Sequence, residues 1–221
     1  MKQIVVGILS LLFFAACSSD QSLKPYYYQI NDYLNPKIFV YDQIGNPDGR
    51  QYWRVFTDPM RQELTTEVYN AKFILTEISR ESFNDSGSKF IVYSSFSNGQ
   101  ETKAKITREK VFMWDSNAEY EYELDLPYPD FPTVFNKQRN FERFTELEVM
   151  GHHEEGIEMR GEYHFTNTTS GDEYTYWQYS YYTKEHAFVG WERHYSDEEF
   201  AQKLWLVDVL TDEEWELVKP N

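Results

Sequence analysis

The strongest pattern along the chain is an alternation of large apolar and polar residues with a period of two. In the stretch EYEYELDL the acidic residues fall on one face and the apolar residues on the other, namely Tyr120, Tyr122, Leu124 and Leu126. Successive side chains of a β-strand point to opposite sides, so this pattern is typical of a strand with one buried face. The stretch therefore predicts a half-buried strand.

Further segments follow the same pattern and are separated by turn signals. KIFVYDQ and QYWRVFTD flank Asp48-Gly49, and KFIVYSSF and QETKAKIT flank Asn98-Gly99. Asp-Gly and Asn-Gly pairs favour two-residue hairpin turns, because both residues of such turns need a positive φ. We expect a hairpin at each pair.

The second half of the chain predicts an antiparallel meander. Its candidate strands are FERFTELEVM, IEMRGEYHF, DEYTYWQYSYY, HAFVGWERHY and FAQKLWLVDV. The segments between them, GHHEEG, TNTTSG, TKE and SDEE, are predicted connections. All four are short enough to join neighbouring antiparallel strands.

The segment 196–210 fits either a strand or a helix. Ser196 and Glu199 could form a capping box, with apolar residues at helical spacing after them. The bulky run LWLVDVL instead favours a final strand, with a short helical turn at TDEEWELV. We adopt the strand interpretation.

Together these elements predict an all-β fold in one domain. We expect an antiparallel meander of about ten to twelve strands that forms a strongly curved sheet or an open barrel, with a short C-terminal helical turn. Curvature wraps one face of the meander around a single core and reduces the exposed strand edges.

The composition supplies the core and limits the partners. The chain has 18 tyrosines, 16 phenylalanines and 6 tryptophans, but one cysteine, so disulfides cannot hold the domain together. Its 37 acidic residues outnumber 21 basic ones, for a formal charge of −16. Binding to nucleic acid needs clustered lysine and arginine, so no nucleic-acid partner is predicted.

The first residues have the pattern of a secretory signal. Lys2 is followed by an almost uninterrupted apolar run over 4–14, and two small residues, Ala15 and Ala16, precede the single cysteine, Cys17. The run is too short for a membrane-spanning helix.

The sequence Phe14-Ala15-Ala16-Cys17 resembles the lipobox of bacterial lipoprotein precursors. The resemblance implies that the sulfur of Cys17 receives a diacylglycerol, and that cleavage before Cys17 leaves an acylated N-terminus carrying fatty chains such as palmitate. It also implies an outer-membrane address, because Ser18 stands where enteric lipoproteins of the inner membrane have aspartate. Either leaflet, periplasmic or surface-facing, remains open.

This gives a predicted organisation in three parts. Residues 1–16 are the signal peptide, 17–24 a polar tether, and 25–221 a single β-rich domain. At the level of architecture, such a domain on a lipoprotein resembles the half-barrels that carry lipids across the bacterial envelope, and the lipocalins.

Candidate chemistry is sparse. The chain has no G-x-S-x-G elbow, no phosphate-binding glycine loop, no H-E-x-x-H and no Cys-x-x-Cys. The stretch GHHEEG offers His152, His153, Glu154 and Glu155 as metal ligands, but at a predicted hairpin tip a solvated turn is favoured. We therefore predict no enzyme activity, no metal site and no cofactor.

Aromatic residues are the better lead to a binding site. The stretch YTYWQYSYY places Tyr174, Tyr176 and Tyr182 on one face of a strand and Trp177, Tyr179 and Tyr181 on the other. Tyrosine and tryptophan combine an apolar body with a polar tip, which suits the lining of a cavity or stacking on sugars. Two-sided packing in the fold is the alternative. The candidate ligand-binding residues are Tyr174, Tyr176, Trp177, Tyr179 and Tyr181.

Two functions follow from these features. The first is an envelope lipoprotein, held to the membrane by its lipid anchor, that binds a hydrophobic or amphipathic ligand on the concave side of its sheet. The second is a surface module that binds a glycan or a protein through exposed tyrosine and tryptophan.

Overall fold

The computed structural model describes residues 21–195 and 201–220, and nearly all regular structure within them is antiparallel sheet. The strands are β1 (Lys37–Gln43), β2 (Asn46–Asp58), β3 (Glu63–Asn70), β4 (Leu75–Phe83), β5 (Gly87–Ser97), β6 (Gln100–Lys103), β7 (Lys105–Met113), β8 (Tyr120–Leu126), β9 (Thr133–Val149), β10 (His152–Asn167), β11 (Glu173–Thr183), β12 (Ala187–Tyr195) and β13 (Gln202–Thr211). Two 3-10 helices, Lys24–Tyr26 and Ile30–Tyr33, precede them, and one α-helix, α1 (Asp212–Val218), follows. The predicted all-β fold is confirmed.

The strands form a closed barrel. Their order is β4-β3-β2-β1-β13-β12-β11-β10-β9-β8-β7-β5-β6, and β4 also pairs with β5, which joins the two ends of the sheet. Strands β6 and β7 lie in line along β5, so the ring has twelve strands. The predicted meander is therefore closed, and differs in this from a half-barrel.

The alternation that predicted β8 sets which side chains face inward. Burial alternates strictly along Tyr120–Leu126, with the residues Tyr120, Tyr122, Leu124 and Leu126 buried. Residues directly opposite each other on neighbouring strands face the same side. Tyr120 lies opposite Arg139 of β9 and Tyr122 lies opposite Lys137, so these two residues of β9 also face inward. Alternation on one strand thus defines the inner surface of its neighbours.

The Asn98-Gly99 hairpin is confirmed. Asn98 has φ of 51° and Gly99 has φ of 76°, and the two residues join β5 to β6. Two consecutive positive φ angles are the signature of a type I′ turn, whose twist matches that of the flanking strands.

The turn predicted at Asp48-Gly49 is wrong, because both residues lie inside β2. The chain reverses earlier, at Ile44 and Gly45, where Gly45 has φ of 81° and Gln43 pairs with Asn46. A Cβ atom on Gly49 would lie 2.3 Å from Oε1 of Gln43. The glycine therefore allows the side chain of Gln43 on β1 to pack closely against the backbone of β2.

The predicted GHHEEG connection is also wrong, since residues from His152 onward belong to β10. The reversal is made by Met150, with φ of 49°, and Gly151, with φ of 81°. His152 then pairs directly with Val149. Only the first residue of the predicted loop lies in the turn.

The N-terminal segment from Ser22 to Tyr33, called the plug below, closes one end of the barrel. Ser22 forms a β-bridge with Asp115, and the amide of Leu23 donates to the carbonyl of Trp114 at 2.7 Å. Leu23 is 0% exposed. Residues 22–24 of the predicted tether are thus part of the folded domain.

The C-terminal interpretation is confirmed, with β13 followed by α1. The capping box lies at Thr211 and Glu214, where each side chain bonds the other residue's backbone amide. Trp215 of α1 is completely buried against Ile38 and Tyr52 on the outside of the barrel. The alternative capping box at Ser196 and Glu199 lies outside the described residues, as does Cys17 with the whole signal segment 1–16.

Candidate functional site

The barrel encloses a cavity of about 560 Å³, called the lumen below. Its wall is rich in aromatic rings and carries polar groups among them. The tyrosines of the wall are Tyr27, Tyr28, Tyr93, Tyr122, Tyr128, Tyr163, Tyr176 and Tyr182. The charged residues are Glu77, Glu81, Lys137, Arg139 and Arg193. A cavity of this size matches sites for small organic ligands.

The plug forms the floor of the lumen. The ring of Tyr27 packs on Phe112, with centroids 4.5 Å apart, and its hydroxyl donates to the carboxylate of Glu81 at 2.8 Å. Tyr28 packs beside it in an edge-on contact. The lumen is closed at this end. The opposite end, where Tyr174 of β11 is 49% exposed, is called the open end below.

Two arginines and one lysine, called the inner cations below, lie on the inner faces of β9 and β12. Arg139 on β9 is opposite Gly161, Gly161 is opposite Gln178, and Gln178 is opposite Arg193 on β12. Two residues further towards the open end, Lys137 is opposite Tyr163, which is opposite Tyr176. Side chains two positions apart on a strand face the same side, so all three cations belong to the lumen wall.

Gly161 makes room between these two rows. A Cβ atom there would lie 2.9 Å from Cε2 of Tyr163 and 3.4 Å from Cε of Lys137. Both side chains therefore lean over the glycine, towards the row that holds the arginines.

Lys137 lies deep in the wall, with 9% of its surface exposed. Its Nζ atom is 4.5 Å from the centre of the Tyr163 ring and 5.7 Å from that of Tyr122. Burial, together with the charges of Arg139 and Arg193, holds the pKa of Lys137 well below its usual value. An anion bound beside this amine would therefore stabilise its charged form.

Arg193 is held by rings and neutral oxygens. Its guanidinium carbon is 4.4 Å from the Tyr176 ring centre and 4.3 Å from that of Trp191. Nε and Nη2 donate to Oε1 of Gln178 at 3.2 and 3.1 Å, and Nη1 donates to the Tyr195 hydroxyl at 3.2 Å. These contacts fix the guanidinium, and no described carboxylate forms an ion pair with it.

Arg139 lies deepest of the three, 4% exposed. Its Nη2 donates to the Tyr182 hydroxyl at 2.7 Å, and its Nη1 donates to the carbonyl of Val111 at 3.3 Å. Its buried Nε atom has no hydrogen-bond partner among the described residues. Because arginine stays charged in proteins, Arg139 adds a permanent positive charge to the lumen.

Two carboxylates also line the lumen, and both bind tyrosine hydroxyls. Glu81, 5% exposed, accepts from Tyr27, and burial raises its pKa. Glu77 accepts from the hydroxyl of Tyr93 at 3.0 Å. Within the described chain, neither forms an ion pair with an inner cation. Burial raises the pKa of Glu77 as well; the charge of Arg193 opposes the rise for Glu77, and those of Arg139 and Lys137 oppose it for Glu81.

The five aromatic residues predicted as ligand-binding are divided between the two sides of β11. Tyr176 lines the lumen, and Tyr174 packs against it at 6.0 Å near the open end. The other three predicted residues, Trp177, Tyr179 and Tyr181, alternate with the inward ones. The two-sided arrangement expected from the sequence is therefore present.

On the outer surface, the same strand contributes to a band of rings. Trp177, which is 36% exposed, stacks on the imidazole of His194 with centroids 5.2 Å apart and an interplanar angle of 1°. Tyr179 meets His194 edge-on, and Tyr181 packs against Trp205 at 5.3 Å. Part of the outward-facing aromatic surface is thus occupied by neighbouring side chains.

The histidines of GHHEEG do not come together with its acids. His152 is exposed, and Nδ1 of His153 pairs with Glu146 across the hairpin at 3.2 Å. Glu154 instead lies with Glu185 and His186, and their ligand atoms fall within 4.8 Å of one another. Nδ1 of His186 is 3.1 Å from the Glu154 carboxylate, so a direct hydrogen bond accounts for this grouping.

The inner cations were not identified from the sequence, although the sequence holds a signal for them. Alternate positions of β9 hold Phe135, Lys137 and Arg139, and alternate positions of β12 hold Trp191 and Arg193. A charged residue in phase with buried rings faces the same side as those rings.

Comparisons with known proteins bear on the fold. No family model matches the chain, and no curated protein matches it in sequence. The solved structure of a proposed lipoprotein from Parabacteroides distasonis aligns with a TM-score of 0.53 and 12% identity, over 80% of this chain and 95% of that one. This chain therefore shares its fold with that protein.

Two further solved structures align less closely. A proposed exported protein with a YmcC-like fold from Bacteroides fragilis has a TM-score of 0.43 and 11% identity, over 81% of this chain and 99% of that one. The hypothetical lipoprotein YmcC from Escherichia coli has a TM-score of 0.39 and 6% identity, over 83% of this chain and 89% of that one. Within the described ranges, no helix combines the length and apolar character needed to cross a membrane.

Proposed function

We propose that this protein is a lipid-anchored envelope protein that binds an amphipathic ligand inside its barrel without transforming it. The observation that carries the proposal is the lumen itself: a cavity of about 560 Å³ whose wall combines many aromatic rings with a few polar and charged groups. A wall of this kind offers apolar contact and a few fixed polar contacts, as small-molecule sites do.

Two independent features support the anchor. The first is the lipobox-like Phe14-Ala15-Ala16-Cys17, with Ser18 favouring the outer membrane. The second is the shared fold with a Parabacteroides distasonis protein that is itself described as a proposed lipoprotein. Acyl chains on Cys17 would hold the domain at the bilayer, each buried methylene contributing about 0.8 kcal/mol.

The plug gives the anchored barrel an orientation. Five residues lead from Cys17 to Ser22, where the described domain is already paired with Asp115. A chain spans at most about 3.6 Å per residue, so the plugged end lies within roughly 18 Å of the lipid anchor. The open end of the lumen would then face away from this membrane, towards a ligand or a partner that delivers it.

A binding role suits the chemistry of the wall better than catalysis does. The described residues that line the lumen include no histidine or cysteine, and both carboxylates are engaged by tyrosine hydroxyls. Ser180, which lines the cavity, accepts a hydrogen bond at 3.0 Å from the side-chain amide of Gln178, which is not a base.

Filling the lumen tests the proposal. The full chain with Cys17→Ser is purified, and bound small molecules are identified by native mass spectrometry. Ser180→Phe places a ring at a lumen position that is 2% exposed, whereas Ser97→Phe places the same ring at an exposed strand end. We expect the first variant to lose bound ligand and the second to keep it, with both folded by circular dichroism. Ligand retained by a folded Ser180→Phe protein would contradict the proposal.

The anchor is tested separately. Wild-type protein should incorporate labelled palmitate and lose residues 1–16, and the Cys17→Ser variant should do neither. An unlabelled wild-type protein would remove the lipoprotein assignment and leave the lumen unaffected.

The aromatic residues on the outer face of β11, Trp177, Tyr179 and Tyr181, support a second candidate function, a surface module that binds glycans. The stacked pair of Trp177 and His194 presents a partly exposed indole. In this case Trp177→Ala would abolish binding to a glycan array and Ser180→Phe would leave it unchanged. The opposite result would favour the lumen.

A further inference from the structure

The positive charge of the lumen contrasts with the rest of the chain. The protein has a formal charge of −16, with 37 acidic residues available as partners. Yet Lys137, Arg139 and Arg193 form no ion pair with any carboxylate among residues 21–195 and 201–220, although exposed arginines such as Arg50 and Arg108 do. Several exposed bases are therefore paired with carboxylates, and the three basic residues of the lumen are not.

The inner cations form one electrostatic cluster. Lys137 contacts the ring of Tyr163, Arg193 contacts the ring of Tyr176, and the two rings stack with centroids 4.5 Å apart. Arg139 and Arg193 are both near enough to Lys137 to disfavour its charged form. Like charges buried together are costly unless a counter-charge joins them.

Hydrogen-bond donors in this region are also unsatisfied. Arg139 has a buried Nε without an acceptor in the described structure, and the contacts described for the Lys137 amine are with the rings of Tyr163 and Tyr122. Arg193 donates its hydrogen bonds to the neutral oxygens of Gln178 and Tyr195. The lumen therefore holds unsatisfied donors, together with three basic side chains against two carboxylates, Glu77 and Glu81, neither of which forms an ion pair with them in the described structure.

The wall changes character towards the open end. On β9 and β10, the next inward row after Lys137 and Tyr163 consists of Phe135 and Phe165, which stack at 4.6 Å. Tyr174 pairs with Phe165 and lies beside it at 6.2 Å. A ligand with its polar end among the cations would thus have its apolar part among these rings.

We propose that the lumen selects an anionic amphiphile, whose carboxylate or phosphate lies among Lys137, Arg139 and Arg193 and whose apolar chain lies against Phe135 and Phe165. This inference rests on the proposed function and names the class of its ligand. Arginine and lysine bind carboxylate and phosphate through charge-assisted hydrogen bonds, and Tyr163 and Tyr176 supply the ring faces beside them.

Titration calorimetry with ten-carbon probes tests the head group. The full chain with Cys17→Ser is titrated with decanoate, decyl phosphate, decyltrimethylammonium and decyl maltoside, below the concentrations at which each forms micelles. We expect at least one anionic probe to bind at least about tenfold more tightly than the cationic and neutral ones, which corresponds to about 1.4 kcal/mol. The difference between the two anions identifies the preferred head group.

Variants of the cluster show where the head group lies. Lys137→Met and Arg193→Gln should each weaken the anionic probe at least about tenfold and change the neutral probe little. Lys137→Arg should retain most of the affinity, because it restores the charge. Lys110→Met, which removes an exposed lysine of β7, is the matched control and should have no effect.

The outcomes separate this inference from the proposed function. Equal binding of all four probes, or tighter binding of the cationic one, would overturn the anionic selectivity and leave a lumen that binds amphiphiles. Binding of none of the probes would overturn the proposed function itself. An anionic preference unchanged in folded Lys137→Met and Arg193→Gln proteins would place the head group elsewhere and reject the assigned site.

Discussion

The ammonium nitrogen of Lys137 lies 4.5 Å from the centre of the Tyr163 ring, inside the barrel. No described carboxylate forms an ion pair with it, and 9% of the residue is exposed. The ring face offsets part of the cost of burying this charge, since cation–π contacts contribute about 0.5–2 kcal/mol. A hydrophobic residue of the same length would meet the same surroundings without that cost.

We therefore expect Lys137→Met to raise the free energy of unfolding of the ligand-free protein by about 1–3 kcal/mol, because replacing buried charge by apolar volume is often stabilising. Urea unfolding at neutral pH measures the change. Lys110→Met should stay within about 0.5 kcal/mol of wild type, as exposed substitutions usually do. A clear loss of stability in Lys137→Met alone would show that the amine has a structural partner.

The same lysine should make stability depend on pH. The pKa of Lys137 is held well below its usual 10.5 in the folded state, first by burial and then by Arg139 and Arg193. Between the folded pKa and 10.5 the unfolded chain binds more protons, so the free energy of unfolding rises with pH through this window. The rise should be smaller in Lys137→Met, as measured by urea unfolding at several pH values. Parallel curves for the two proteins would contradict this.

Glu81 should act in the opposite direction at lower pH. Burial raises its pKa above the usual 4.5. Between 4.5 and the higher folded pKa the folded state binds more protons, so the free energy of unfolding falls as pH rises through the window. Glu81→Gln, which resembles the protonated acid, should reduce this fall. Glu119→Gln, at an exposed position, should leave the wild-type slope intact.

Leu23 tests whether the plug is part of the domain. Its side chain is 0% exposed, so Leu23→Ala should lower the free energy of unfolding by about 2–4 kcal/mol through lost burial and a residual cavity. Leu34→Ala, at a position that is 54% exposed, is the matched control and should cost less than about 0.5 kcal/mol. Equal, small effects in thermal unfolding would mean that the plug is dispensable.

The cap of α1 gives a smaller, local prediction. The hydroxyl of Thr211 accepts from the amide of Glu214 at 3.2 Å. Thr211→Ala should cost about 1 kcal/mol, while Thr211→Ser should retain most of the stability. Urea unfolding measures both, and an equal loss in the two variants would show that the methyl group matters rather than the cap.

The period of two was enough to predict the strands, because it reflects the geometry of the backbone itself. EYEYELDL and KIFVYDQ correspond to β8 and β1 within one residue. The turns were less predictable. Asp48-Gly49 carries a stronger turn signal than Ile44-Gly45, yet only the latter lets Gln43 pair with Asn46 and keep β1 in register with β2.

The site was harder to predict than the strands, because it is assembled across strands. Tyr176 was among the predicted ligand-binding residues, and it lines the lumen. Lys137 and Arg193 come from β9 and β12, and only the closed ring brings them to the same pair of stacked tyrosines. The predicted sheet left open whether it closed, so the sequence could not place these residues around one cavity.

The pairing of β1 with β13 matters for how a newly made chain reaches its native state. Lys37 lies opposite Thr211, so the first strand of the chain has one uncovered edge until the last strand pairs with it. Until then β1 and β12 expose unpaired amides and carbonyls, which can template aggregation with other chains. Closing the barrel therefore depends on the last strand of the chain, and removing β13 should favour aggregation over folding.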